Sequence, residues 1–524
     1  MATEIELKLL IDPVHVRLLR RVPLLQRYAV EKPVSRLQTS TYFDTPDLDL
    51  QRAGASLRVR RVNRTWIQTF KTKGYAQAGL HQRGEWESRV ANRQPDLAAL
   101  VNLAAPGNLG KGDPALLALL SEPLLADRLR PLFTTRFKRT AWSLKLTGFD
   151  EVELALDRGE VLGREAAEPI SEIELELRCG DPARLFDVAL ELIDTVPLRV
   201  GNISKAARGY ALCAPQPPPP VKAQRVELSS AMSVEQGFEC VLRNCLAQVQ
   251  ANETGVAQSD NPESVHQMRV GLRRLRAGLS LFSGLIPKAA SGYLAEELRW
   301  IAGTLGSARD WEVLATETLP ALVEKFPDDS ALAELRSAAR NRAGECRNGA
   351  REAVMSVRYT KLLLSFGAWI EGRRWRAAVT EPGLQALTAP LPQFAGMALK
   401  VRHKRLMKHG RRLKKSGDEE RHATRIAAKK QRYAAEFFSA LCAGRRVEKY
   451  VRCLAALQDS LGQLNDAATA AKLLAELTGP PSPPERRECV AFVTGWLAGR
   501  SQAKLAQLAA EWKVFDKQRA LANK

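Results

Sequence analysis

Two short stretches of alternating acidic and apolar residues carry the side chains best suited to chemistry. The first is Glu4-Ile5-Glu6-Leu7-Lys8, and the second runs from Glu172 to Leu177 as Glu-Ile-Glu-Leu-Glu-Leu. Alternate side chains of a β-strand share one face, so carboxylates two residues apart lie about 6–7 Å from each other. Like charges at that spacing resist joint ionisation. A hard divalent cation such as Mg²⁺ or Mn²⁺ removes the conflict, because it prefers carboxylate oxygens.

Other short segments of the first 213 residues place several charges on one strand face. They include Arg58 with Arg60, Lys71 with Lys73, and Arg136 with Lys138. One interpretation is a sandwich or open sheet whose charged face meets solvent. The other is a closed antiparallel barrel whose lumen holds the charges, with acidic clusters binding metal and basic clusters binding phosphate oxygens. The alternation alone leaves both interpretations open.

The length and the charge distribution predict at least two domains. A chain of 524 residues is too long for one ordinary hydrophobic core. Four consecutive prolines end at Pro220 and favour an extended linker. We therefore expect a first domain at 1–213, a linker at 214–223 and a second domain at 224–515. Residues 1–213 hold 31 basic and 27 acidic residues, a net of +4, so most of the chain's +21 lies further on. That excess indicates a polyanionic partner.

Composition also bears on location. No apolar run reaches the roughly 18–20 residues of a membrane helix, and residues 1–10 lack the pattern of a signal peptide. The eight cysteines are scattered and form no C-x-x-C pair, which is typical of reduced thiols. We expect a cytoplasmic protein without a membrane segment.

The second domain contains an internal duplication. The segment His266-Gln-Met-Arg-Val-Gly-Leu-Arg-Arg-Leu-Arg276 resembles His422-Ala-Thr-Arg-Ile-Ala-Ala-Lys-Lys-Gln-Arg432, and a Leu-Gly-x-x-x-Asp motif recurs at Leu305 and Leu461. Both repeats have an offset of 156 residues. The pattern predicts two similar helical bundles related by a pseudo-twofold axis.

Helical spacing places the basic residues of each copy on one face. Positions i, i+3, i+7 and i+10 lie along one side of a helix. Together the two stripes would line a groove that binds polyphosphate or another polyanion, through His266, Arg269, Arg273, Arg276, His422, Arg425, Lys429 and Arg432.

These motifs resemble two families. The run Glu4–Lys8, the segment Tyr42-Phe43-Asp44-Thr45-Pro46, the basic pair at Arg58, the acidic strand from Glu172 and Ser204-Lys205-Ala206 are similar in order to the CYTH domain, the triphosphate tunnel metalloenzyme fold. The duplicated histidine helices resemble the CHAD domain. The combination is similar to bacterial inorganic triphosphatases. The resemblance implies a closed eight-stranded α+β tunnel barrel followed by an all-α domain of two bundles.

The resemblance also implies roles for individual residues. The metal ligands would be Glu4, Glu6, Glu172, Glu174 and Glu176, holding Mg²⁺ or Mn²⁺. The phosphate clamps would be Lys8, Arg58, Arg60, Lys71, Lys73, Arg136 and Lys205. Glu85, Glu87 and Asp157 would order these clamps, and Lys8 with Glu4 and Glu6 would be catalytic, with Tyr42 near the attacking water.

The function expected from this resemblance is metal-dependent hydrolysis of inorganic triphosphate to pyrophosphate and phosphate, beside a polyphosphate-binding helical domain. A CYTH-type adenylate cyclase and a thiamine or nucleoside triphosphatase would use the same clamps. A non-catalytic polyanion-binding protein is a further alternative. Aromatic residues make up only 6% of the chain and no DNA-binding motif occurs, so sequence-specific nucleic-acid recognition is not expected.

Overall fold

The computed structural model describes residues 2–72, 74–103, 118–122, 124–215, 217–411, 413, 417–442, 444–479 and 483–521. Two compact units emerge from the contacts of the chain. Unit 1 comprises Met1–Pro217 with Met355–Arg374, and unit 2 comprises Pro218–Val354 with Trp375–Lys524.

The strands all lie in unit 1. They are β1 Ala2–Ile11, β2 Val34–Asp44, β3 Ser56–Val62, β4 Thr65–Lys71, β5 Tyr75–Gln77, β6 Leu80–Val90, β7 Arg130–Lys145, β8 Glu151–Leu162, β9 Ala167–Cys179 and β10 Leu198–Val200.

Helices occur in both units, and unit 2 is built from helices. They are α1 Pro23–Tyr28, α2 Asp49–Arg52, α3 Leu97–Leu103, α4 Leu125–Arg128, α5 Ala183–Ile193, α6 Lys205–Cys213, α7 Val234–Ala251, α8 Glu253–Gln258, α9 Pro262–Leu281, α10 Gly292–Val313, α11 Pro320–Val323, α12 Ser330–Met355, α13 Val357–Glu371, α14 Glu381–Thr388, α15 Leu391–Gly410, α16 Asp418–Phe437, α17 Gly444–Glu476 and α18 Pro484–Asp516. In the described part of the chain, no helix has both the length and the apolar character needed to span a membrane.

The sheet of unit 1 closes on itself. Its order is β10-β1-β9-β8-β7-β2-β3-β4-β6-β5, and β1 also pairs with β6. All of these pairings are antiparallel. Eight strands therefore form a closed antiparallel barrel, while β5 and β10 add short pairings at its side. The barrel confirms the predicted fold and excludes the open, solvated sheet.

Alternation along β1 separates the barrel core from the lumen. Leu7 and Leu9 are fully buried on the outer face, where they join a cluster with Leu185, Phe186 and Leu192 of α5. Helix α13 completes this cluster with Leu364 and Ala368. The outer face of β1 is thus the apolar one, because a helical layer covers it. Its charged face must then point into the barrel.

Unit 2 repeats its helices along the chain. Helix α9 spans Pro262–Leu281 and α16 spans Asp418–Phe437, so both ends differ by 156 residues. Helices α7 and α15, which precede them, begin at Val234 and Leu391, 157 residues apart. The duplicated sequence therefore folds into duplicated helices, as the repeats predict.

Candidate functional site

A charged cavity lies inside the barrel. Its volume is about 60 Å³. The cationic side chains that line it are Lys8, Arg58, Arg60, Lys71, Arg83, Arg139 and Lys205. The carboxylates that line it are Glu4, Glu6, Glu174 and Glu176. Seven cations against four carboxylates leave an excess of positive charge, which a polyanionic ligand would neutralise.

Lys8 lies among carboxylates from two strands. It is directly opposite Glu174 in the pairing of β1 with β9. Its Nζ forms an ion pair with Glu174 and lies 3.0 Å from Glu6 Oε2. Burial alone would lower the pKa of Lys8, but Glu174 and Glu6 raise it above its ordinary value. Lys8 is therefore held as a cation, which suits a phosphate clamp better than a base for water.

Glu4 is the acidic partner of two cavity cations. Lys71 Nζ donates to both of its carboxylate oxygens, at 2.8 and 2.7 Å. Arg83 Nε donates to Glu4 Oε2 at 3.0 Å. Burial would raise the pKa of Glu4, but Lys71 and Arg83 lower it far below the ordinary range. Glu4 is thus ionised at any working pH, as a metal ligand must be.

Three buried carboxylates cluster beside the cavity. Oxygens of Asp157, Glu172 and Glu174 all lie within 4.8 Å of one another. Lys205 Nζ donates to Asp157 at 2.7 Å, to Glu174 at 2.9 Å and also to Glu172. The three oxygens form a hard donor set of the kind that Mg²⁺ and Mn²⁺ accept, and the residues therefore fit a divalent cation. Two of the predicted ligands belong to this cluster, whereas Asp157 was expected only to order the clamps.

Glu176 is the least neutralised carboxylate of the cavity. Arg178 Nη1 donates to it at 2.6 Å. Burial raises the pKa of Glu176 to about 7, and neighbouring Glu153, Glu4 and Glu6 add to the rise. A cation near these carboxylates would bring that pKa down, so the position of Glu176 agrees with the predicted metal role.

Arg58 and Arg60 are only partly satisfied. The Nε atoms of both are buried and have no hydrogen-bond partner among the described residues. Arg60 Nη2 donates to Glu87 at 2.8 Å, and Arg58 Nη2 lies 3.7 Å from Glu85. Burial and the nearby Arg58 lower the pKa of Arg60. Buried donors without partners are costly, and phosphate oxygens would satisfy them.

Glu85 and Glu87 contact clamps, as expected from the sequence. Glu85 also lies 3.2 Å from Lys71 Nζ, and Glu87 accepts from the Thr69 hydroxyl at 2.9 Å. The same strand carries Arg83, which lines the cavity but was not among the predicted clamps. Its alternation with these two glutamates was the signal that could have identified it.

Arg136 does not take the predicted place in the cavity. Its side chain is exposed, and the arginine of β7 that lines the cavity is Arg139. Arg139 donates to the two oxygens of Asp157 at 2.8 and 2.7 Å and pairs with Glu174. On β7 the inward residues include Phe137, so the apolar face points inward there. Because the outer side of β7 is charged as well, alternation could not identify the lumen face. Lys73 lies outside the described residues.

The Tyr-Phe-Asp-Thr-Pro segment supports the cavity rather than forming it. Tyr42 stacks on Phe133 with ring centroids 4.5 Å apart. Asp44 is fully buried and accepts hydrogen bonds from the backbone of Leu50 and Gln51, both at 2.9 Å, and from Tyr210 Oη at 3.0 Å. Asp44 therefore fixes the turn after β2, which holds Tyr42 at the cavity wall.

Unit 2 contains a separate groove with a volume of about 1220 Å³. Most of the predicted basic stripe lines it: His266, Arg269, Arg273, His422, Arg425, Lys429 and Arg432. Arg276 is exposed and is not part of this lining. Arg274 and Arg309 line the groove in addition. The helices carrying both copies of the motif thus contribute to one groove.

Carboxylates interleave with these cations. Arg269 Nη2 lies 3.4 Å from Asp310 Oδ1, and the corresponding Arg425 donates to Asn465 at 2.9 Å. Burial lowers the pKa of Lys429 to about 7, and Arg425 and Arg273 lower it further. A lysine with so low a pKa has too few anionic neighbours, and a bound polyanion would supply them.

Comparison with known families agrees with both sites. The CYTH domain family matches residues 2–210, and the CHAD domain family matches residues 240–475. The chain therefore combines an N-terminal CYTH domain with a CHAD domain. The duplicated groove lies in the second match and the charged barrel fills the first.

Individual relatives match parts of this arrangement. The inorganic triphosphatase of Haemophilus influenzae is 31% identical over 221 residues, which are 41% of this chain and 56% of that protein. An uncharacterized protein of Mycobacterium tuberculosis is 27% identical over 448 residues, 78% of this chain and 77% of its own. The crystal structure of the CHAD domain from the plant Ricinus communis is 34% identical, with a TM-score of 0.52, and covers 58% of this chain and 99% of that domain.

Proposed function

We propose that the barrel hydrolyses inorganic triphosphate to pyrophosphate and phosphate. The observation that carries this proposal is the excess of cations in a closed cavity, together with the unpartnered Nε atoms of Arg58 and Arg60. Phosphoryl transfer needs mainly positioning and charge stabilisation from a protein. The relation to the Haemophilus influenzae inorganic triphosphatase supports the same chemistry.

The lining of the cavity favours a substrate without an organic group. Its aromatic side chains are Phe137 and Tyr42. Lys205 Nζ lies over the Phe137 ring, 4.9 Å from its centroid, and Tyr42 already stacks on Phe133. Neither ring offers a free face for an adenine or a thiazole, which this class of binding site normally stacks on aromatic groups. This argues for inorganic triphosphate over ATP or thiamine triphosphate.

Each cavity residue then has a role in binding. Arg58, Arg60 and Arg139 offer planar forks for paired phosphate oxygens, while Lys8, Lys71 and Lys205 supply compact charges. The carboxylates that pair with these cations hold them in place, as Asp157 holds Arg139. The lysines stay protonated through these contacts and stabilise negative charge on the leaving pyrophosphate.

Mg²⁺ or Mn²⁺ would be held by carboxylates of this cavity. The candidates are Glu4, Glu6, Glu172, Glu174 and Glu176, with Asp157 added by the structure. When bound, such an ion neutralises phosphate oxygens and lowers the pKa of water.

The proposal is tested by comparing substrates. Phosphate release from inorganic triphosphate, ATP and thiamine triphosphate is measured at equal concentrations with Mg²⁺ or Mn²⁺, and cyclic AMP is measured in the ATP reaction. We expect kcat/KM for inorganic triphosphate to exceed the other two by at least tenfold. Faster ATP or thiamine triphosphate turnover, or cyclic AMP formation, would contradict the substrate proposal.

For unit 2 we propose polyphosphate binding in its groove. The support is the convergence of both basic stripes on one groove and the low pKa of Lys429. Binding through such contacts should weaken steeply with salt. The test is the affinity for a polyphosphate of about 100 phosphates, with Arg273→Glu and Arg425→Glu combined in one variant. Arg299→Glu with Arg340→Glu, two exposed arginines outside the groove lining, has the same charge change and is the matched control. Equal loss in both variants would contradict a groove-specific site.

A further inference from the structure

A strip along one side of α7 is covered by the chain itself. Asn252 both donates to the Val221 carbonyl and accepts from the Val221 N–H, each at 2.9 Å. Asn244 donates to the Arg225 carbonyl at 3.3 Å, and Arg274 Nη2 lies 3.5 Å from the Gln224 carbonyl. Residues 217–229 form no helix and no ladder of strands. The first half of the duplication thus binds an extended peptide segment through its main chain.

The equivalent strip of the second half is identified by its buried positions. With the offset of 157 residues given by the helix starts, the buried Val234, Phe238, Leu242 and Val249 of α7 correspond to Leu391, Ala395, Leu399 and Leu406 of α15, which are buried as well. The same offset relates the α7 strip, Asn244 and Asn252, to Val401 and His409.

This second strip is open. Val401 is 58% exposed and Met397, one turn before it, is 62% exposed. Arg405 is exposed at the position that corresponds to Gln248, which is buried in α7. The two halves therefore present the same helix face, but only the first half covers it.

The open strip is also basic. Lys430 of α16 occupies the position that corresponds to Arg274, 156 residues earlier. Arg402, Arg405 and Arg276 all act on Lys430 as nearby positive charges, and burial together with these three lowers its pKa. Burial and Arg405 likewise lower the pKa of Arg402, to about 10. Within the described residues none of these four cations forms an ion pair with a carboxylate.

We propose that this strip of α15 and α16 binds an extended acidic peptide segment of a partner protein. The first half supplies the geometry of an extended chain along the helix, and the unpaired cations supply the complementary charge. Met397 and Val401 would contact apolar side chains of the segment. A second copy of the chain's own segment does not fit, because Lys222 and Arg225 would meet like charges. The inference does not depend on the activity of the barrel or on the groove.

The probe is a fluorescent synthetic peptide of residues 217–228 that carries Lys222→Glu and Arg225→Glu, and the peptide without these changes is its control. Fluorescence anisotropy with the full chain should show saturable binding of the acidic peptide, at least tenfold tighter than the control peptide. Arg405→Glu combined with Lys430→Glu should weaken it at least tenfold. Arg299→Glu with Arg340→Glu, which has the same charge change, should not.

The strip variant should fold normally, because it relieves repulsion between cations, and its melting temperature checks this. Equal affinities for the two peptides, or an unchanged affinity in the strip variant, would overturn the proposal. So would a result in which the strip variant loses polyphosphate or RNA binding and keeps the acidic peptide, since the occupant would then be a nucleic acid or polyphosphate. A failed groove test leaves this result unaffected, because the groove residues are unchanged in both strip variants.

Discussion

Lys8 of β1 and Glu174 of β9 face each other across the antiparallel pair and form an ion pair that is almost fully buried. Lys8 also contacts Glu6, and Glu174 also contacts Arg139 and Lys205. The two residues thus join the two acidic strands on which the sequence interpretation depended. A single change on either side leaves charges without partners in the cavity.

Replacing Lys8 should therefore destabilise unit 1. Lys8→Ala leaves Glu6 and Glu174 with one cation fewer, and breaking one side of a buried pair costs about 3 kcal/mol. Adding Glu174→Gln should recover part of that loss, because the excess carboxylate is removed. The free energy of unfolding, measured with denaturant in EDTA, checks both. A double variant less stable than Lys8→Ala by the full sum of the single changes would contradict the pairing.

Arg139 and Arg136 offer a matched test of the cavity wall. Arg139→Ala should lower kcat/KM for inorganic triphosphate by about 100-fold or more, the range observed when one transition-state donor is removed. Arg136→Ala should leave it within about twofold, because its side chain is exposed outside the cavity. Steady-state kinetics on the two variants decide the matter. A larger loss in the Arg136 variant would restore the original strand register.

Polyphosphate binding should take up a proton near neutral pH. The pKa of Lys429 is about 7 in the free groove, so above pH 7 a growing share of this lysine is neutral. A bound polyanion raises that pKa, so binding captures a proton and the affinity falls as pH rises from 7 towards 9. Titration calorimetry in buffers of different ionisation heats measures the uptake. Lys429→Arg, which stays charged, should reduce it by up to one proton. Unchanged uptake in that variant would contradict the assignment.

Gly367 of α13 should tolerate no side chain. A Cβ at this position would lie 2.0 Å from Cε1 of the Phe186 ring in α5. Gly367→Ala should therefore lower the free energy of unfolding of unit 1 by about 1–3 kcal/mol, the usual cost of overpacking. Gly344 of α12 has open space around it, and Gly344→Ala should stabilise by about 1 kcal/mol through helix propensity. Thermal unfolding of both variants is the measurement. A neutral Gly367 variant would show that α13 packs loosely on α5.

The sequence predicted the features that follow from a repeated period. Alternation placed Glu4, Glu6 and Lys8 on one face, and the offset of 156 residues placed two histidine helices in equivalent positions. These predictions succeeded because α5 and α13 cover the outer face of β1 and leave only the lumen for the charges. On β7 both faces carry charge, so the alternation could not separate Arg139 from Arg136.

Long-range contacts were the other source of missing detail. Asp157 joins the carboxylate cluster because β8 lies beside β9, with Asp157 opposite Glu172. That register depends on barrel closure, which no local pattern contains. The open strip of α15 was equally out of reach, because its exposure depends on where residues 217–229 lie in the first half only.

The most direct test of the central claim is metal-dependent phosphate release from inorganic triphosphate. The wild-type chain and the Glu4→Gln, Glu6→Gln double variant are assayed with Mg²⁺, with Mn²⁺ and with EDTA. We predict rapid release by the wild type with at least one of the metals, none with EDTA, and a loss of at least about 100-fold in the variant. Release that persists in EDTA, or an equally active variant, would contradict a carboxylate-bound metal in the barrel. No release under any condition would leave the barrel as a polyanion-binding domain without catalysis.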